Sequence, residues 1–145
     1  MDKNVILSIR GQQVYDKEEP EVTELVTEGT LIPGEDGRFT LRYQESELTG
    51  LEGTQTTIQV EGSSVSILRE GQVNSQMVFE EGRRHLTMYN TPYGALSIGV
   101  NTRHMKVDLD ETGGSIEIDY ALEVDHAVAG ENLFQIYVRT RNIPQ

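Results

Sequence analysis

Apolar and polar residues alternate along this chain in short runs that end at glycine-centred turns. Val5, Leu7 and Ile9 share one parity and read as the inward face of a first strand. Val22 to Ile32 reads as a second strand of mixed parity, with Leu25, Thr27, Gly29 and Leu31 on one side and Val22, Glu24, Val26 and Glu28 on the other. Phe39, Leu41 and Tyr43 alternate with Arg38, Thr40 and Arg42. Further runs follow at Ile58 and Val60, at Val65 and Ile67, and at Val73, Met77 and Phe79. Leu86 and Met88 stand opposite His85, Thr87 and Tyr89. Leu96, Ile98 and Val100 come next, then Met105, Val107 and Leu109. Ile116, Ile118, Tyr120, Leu122 and Val124 make the longest clean alternation, and Phe134, Ile136 and Val138 close the series.

Asp36-Gly37, Glu61-Gly62-Ser63, Glu70-Gly71, Glu81-Gly82 and Gly113-Gly114 mark the turns between runs. This rhythm predicts an all-β, antiparallel, hairpin-connected fold. No segment holds a helical period; the nearest, Ala121 to Ala129, is absorbed by the strand pattern. Gly99 inside a run suggests a bulge or a bend there. Two connections are longer, Gln12 to Glu21 and Ser46 to Gln55. Short loops favour strands that neighbour in sequence. The expected architecture is therefore one domain over residues 1–145, a single antiparallel up-and-down β-barrel of about 8–10 strands rather than a Greek-key sandwich.

Composition narrows the function classes. Only 36% of residues are apolar, as expected of sheets with one wet face. Acidic residues outnumber basic ones 24 to 12, a net charge of -12, which repels phosphate backbones and argues against nucleic acid as a partner. The chain has no cysteine, so disulfides, thiolate catalysis and cysteine-based zinc sites are excluded. The apolar run at Val5 to Ile9 breaks too soon for a signal peptide, and no stretch has the ~20 apolar residues of a membrane helix. These features predict a cytoplasmic protein with no membrane partner and no cofactor. His85, His104 and His126 have no ligand spacing, and Asp108-Leu109-Asp110-Glu111 lacks the glycine of a calcium loop, so no metal site is expected.

Phe39-Thr40-Leu41-Arg42-Tyr43, Thr49-Gly50-Leu51-Glu52-Gly53-Thr54, Arg69-Glu70-Gly71 and Tyr89-Asn90-Thr91-Pro92-Tyr93-Gly94 occur in order along the chain. With these segments it resembles the YwiB-like family of bacterial proteins, over nearly its whole length. The resemblance implies a calycin, that is lipocalin-like, barrel in a cytoplasmic protein of unknown function. It carries over no catalytic or ligand residue.

Two residues break the inward apolar pattern. Arg69 continues the parity of Val65 and Ile67, and Glu45 that of Phe39, Leu41 and Tyr43. An isolated buried charge is costly, so each needs a partner, a strand end or a ligand. Tyr43, Tyr89, Thr91, Tyr93 and Tyr120 offer apolar bodies with polar tips, suited both to a structural corner and to a ligand wall. The reading that follows is a non-enzymatic barrel binding a small, partly apolar molecule. Glu45 and Arg69 would be its anchors, and Tyr43, Tyr89, Thr91, Tyr93 and Tyr120 its walls. The alternative is an interaction module, monomeric or homodimeric, that binds a basic partner or itself through outward apolar residues such as Ile6, Leu68 and Val78. A third reading, an enzyme using Glu45 and Arg69, names no reaction.

Overall fold

The computed structural model describes residues 2–14, 19–45, 53–71, 75–91, 94–125 and 127–140, and of residues 88–91 the backbone only. Among them are ten strands: β1 (Lys3–Val14), β2 (Glu21–Pro33), β3 (Phe39–Gln44), β4 (Thr54–Glu61), β5 (Ser64–Gly71), β6 (Ser75–Glu80), β7 (Arg84–Thr91), β8 (Gly94–Asp110), β9 (Gly113–Val124) and β10 (Ala127–Thr140). All lie in one antiparallel sheet ordered β6-β5-β4-β3-β2-β1-β10-β9-β8-β7. The sheet curls into a nearly closed barrel whose first and last strands are hydrogen-bonded along their length, from Val5 opposite Thr140 to Val14 opposite Glu131.

The strand pattern read from the chain holds with specific exceptions. Neighbours in sequence are neighbours in the sheet except β6 and β7, between which the described residues form no ladder. The turn explains why. The Gly82 amide donates to the Thr102 carbonyl at 2.9 Å and the Thr102 amide to the Arg83 carbonyl at 3.1 Å, so the chain leaves β6 toward β8. Residues 96–100 and 105–109, two runs in sequence, form one strand. They are joined by a bulge between Thr102 and His104 that returns Met105, Val107 and Leu109 to the inner face. The bulge is there and not at Gly99. Gly99 is instead a gap in the outer face, bordered by Leu86 and Glu123. Leu86 points outward and is 55% exposed, because its strand pairs His85 with the buried Val100. Val73 lies outside the described residues.

The β2–β3, β4–β5, β6–β7 and β8–β9 connections lie at one end. Asp36 and Gly37 both take positive φ, 55° and 76°, as a two-residue type I′ hairpin turn requires. Gly113 and Gly114 open β9 rather than making the turn, which falls on Glu111 and Thr112. There the Thr112 amide and hydroxyl donate to Asp110 Oδ1 at 2.7 and 2.5 Å and hold its carboxyl below the usual range.

Inward parity builds one core from Val5, Leu7, Leu31, Leu41, Ile58, Val65, Phe79, Val100, Ile116, Ile118 and Ile136, all essentially out of water. Each such side chain contributes roughly 1.5–3 kcal/mol of burial. No helix of the described residues is long and apolar enough to cross a membrane.

Candidate functional site at the barrel mouth

The core does not fill the barrel to the other end. A half-open cavity of about 340 Å³ lies where β1, β3, β5 and β9 end and β2, β6 and β10 begin. Ile9, Leu25, Met77, Leu122 and Phe134 give it apolar walls, and Tyr43, Glu45, Arg69, Tyr120 and Asn132 its main polar groups.

Strand register assembles the polar side. Gly29, Tyr43, Thr56 and Arg69 are successive cross-strand partners on β2, β3, β4 and β5, a single inward-facing row. At Gly29 the row is closed by its neighbours: a β-carbon there would stand 2.6 Å from the Arg42 carbonyl oxygen and 2.8 Å from Leu7. Glu45 lies one step further along the inner face of β3, its amide held by the Thr54 carbonyl at 2.9 Å.

The Glu45 side chain is only 2% exposed. Thr56 Oγ1 donates a short hydrogen bond to its Oε2, and the Tyr43 hydroxyl donates to the same carboxylate. Burial, reinforced by the Glu45 charge, pushes the Tyr43 phenol well above its ordinary range; Arg69 works in the opposite direction with less effect. Arg69 Nε stands 3.7 Å from Glu45 Oε2, an ion pair too long to be a hydrogen bond. That nitrogen is buried and has no hydrogen-bond partner. The arginine side chain as a whole keeps 21% of its surface open. The site therefore holds a carboxylate that accepts from two hydroxyls beside a guanidinium whose Nε is paired in charge but not in a hydrogen bond.

Tyr120 reaches the cavity from β9, its ring edge-on to Phe79 with centroids 4.8 Å apart. Of the residues singled out in the chain, the structure thus brings together Tyr43, Glu45, Arg69 and Tyr120. Tyr89 and Thr91 belong to β7, opposite Leu96 and Gly94, and their side chains lie outside the description, as does Tyr93 altogether. Thr56 and Asn132 are additions. Each continues an apolar parity with a polar residue, Thr56 before Ile58 and Val60, Asn132 before Phe134, Ile136 and Val138. That is the signal that drew attention to Arg69 and Glu45.

His85 Nε2 lies 3.0 Å from Glu80 Oε1, and His104 Nδ1 3.8 Å from Glu81 Oε1. His126 is outside the described residues. Among those described, no three His, Cys, Asp or Glu side chains gather as metal ligands would.

Among the described residues, fold and cavity together define a ten-stranded antiparallel β-barrel with a packed core at one end and a cavity at the other. A sequence profile of DUF1934, a domain of unknown function, matches residues 7–136, and the chain belongs to that family. It is 27% identical over 111 residues to the uncharacterized β-barrel protein YwiB of Bacillus subtilis (strain 168), across 77% of this chain and 76% of YwiB. The crystal structure of the ywiB protein from Bacillus subtilis matches with a TM-score of 0.83 at 23% identity, over 97% of this chain and 94% of that one. The YwiB resemblance carried by the sequence motifs is borne out, and so is the barrel it implied.

Proposed function

We propose that the mouth binds a small, partly apolar molecule without chemical change, its polar end accepting hydrogen bonds from Arg69. One observation carries this reading: Arg69, whose buried Nε has no hydrogen-bond partner, lines a cavity of ligand size and keeps part of its side chain open. Leaving a charged donor unsatisfied costs free energy, and an acceptor on a ligand would recover it. Glu45 then acts as a brace that fixes the guanidinium, with Thr56 and Tyr43 fixing Glu45 in turn. The apolar walls would hold the rest of the ligand. Such a role suits the calycin-like reading of the fold and a cytoplasmic protein. Burial raises the Tyr43 phenol pKa further from neutral pH, so it stays protonated and able to donate to Glu45.

Native mass spectrometry on protein purified gently from a bacterial host tests this. The expected spectrum shows a reproducible adduct that Arg69→Ala loses while the protein stays folded. A bare mass in the parent protein, or an adduct indifferent to Arg69→Ala, rejects the reading.

A further inference from the structure

Six large apolar side chains are exposed among the described residues, and five of them, Val14, Val22, Val26, Val128 and Tyr137, lie on the outer face of β2, β1 and β10. The register places three rows side by side there. Glu28, Ile6 and Arg139 form one row, Val26, Ser8 and Tyr137 the next, and Glu24, Arg10 and Gln135 the third. Val26 is 69% and Tyr137 54% exposed, on either side of the small Ser8. The nine residues hold two glutamates and two arginines, so this block is neutral in a chain of net charge -12. The signs are also sorted: both glutamates stand on β2, both arginines on β1 and β10.

We propose that this face is where two copies of the chain meet, related by a two-fold axis running along β1. Such an axis sets β2 of each copy over β10 of the other, row by row. Val26 then packs on Tyr137 of the second copy, Glu28 faces Arg139 of the second copy, and Ile6 and Ser8 meet their own counterparts. Arg10, which comes near its own equivalent, is already charge-paired with Glu24 at 3.5 Å within its own chain. A foreign acidic or basic partner would want one sign of charge. Sorted columns of both signs are what an isologous contact needs, because the same patch must complement itself. Elsewhere the excess of negative charge drives copies apart, so a neutral apolar face is the favoured place for them to touch. The patch is small, and the dimer is correspondingly weak, with Kd on the order of 100 µM.

Sedimentation equilibrium over a wide concentration range, on the full chain, tests the interface. The parent protein is expected to pass from monomer to dimer. Val26→Glu, Glu28→Arg and Arg139→Glu should each raise Kd by about tenfold or more, because symmetry makes every substitution count twice and the charge reversals set like charges opposite one another. The double variant Glu28→Arg with Arg139→Glu should return to near the parent value. All these positions are on the outer surface, so thermal melts should be nearly unchanged. A monomer at every concentration overturns the proposal. So does a dimer indifferent to the single variants, or a double variant no better than either single one.

Discussion

At the scale of single residues, the mouth is a chain of dependencies that ends on one unsatisfied atom. Thr56 is fully buried and donates to Glu45. Removing the hydroxyl in Thr56→Val leaves a buried carboxylate short of a partner, and the expected cost is roughly 1–3 kcal/mol, measurable by urea unfolding. Gly29→Ala places a methyl group against the Arg42 carbonyl and Leu7, and should cost about 1–3 kcal/mol in the same assay. Tyr43 makes a pH prediction whose sign follows from its raised folded pKa. Its stabilising share is fully present below the unfolded value of 10.0 and is lost as pH rises through the folded value, because the unfolded phenol ionises first. Stability should therefore fall along an alkaline limb that Tyr43→Phe flattens. In an ultraviolet titration Tyr43, identified by comparison with Tyr43→Phe, should ionise only on unfolding.

At the scale of elements, strand existence and parity were legible because burial on one side imposes a period of two. What alternation cannot show is which edge a strand offers to which neighbour. Leu86 looks like a core residue until the pairing of His85 with Val100 turns it outward. The residues 96–109 look like two strands until a bulge at Thr102–His104 makes them one. The site was legible in the same measure. Arg69 and Glu45 stood out as charges on an inward parity, but their meeting depends on the β3-β4-β5 register, which no local pattern fixes. Element-level stability should follow the ladders. β6 and β7 each have a ladder on one side only, whereas β1 and β10 are paired on both. Hydrogen exchange should find the amides of β6 and β7 opening well before those of β1 and β10.

At the scale of the whole molecule, the barrel divides its labour along its axis. One end is closed by tight turns over a core of aliphatic side chains, and the other keeps about 340 Å³ open. The packed core and the cavity thus share Tyr43 but otherwise occupy different lengths of the barrel. Ile136→Ala at the packed core should cost roughly 2–5 kcal/mol while leaving any Arg69-dependent adduct intact at temperatures where the protein is folded. The reverse is expected of Arg69→Ala: the adduct goes and the core remains.

The seam between β6 and β7 has a consequence for how the chain reaches this shape. Every ladder joins strands adjacent in sequence except one, β1 with β10, whose partners lie at opposite ends of the chain. The strands up to β6 can zip as one meander and those from β7 as another, and the halves are locked only when that far pairing forms. Cutting the chain at Gly82 and linking its ends would give a circular permutant running from β7 through β10 and β1 to β6. All nine ladders would then be local. The permutant keeps the same barrel at lower contact order, and it should refold faster than the parent while its unfolding rate changes little.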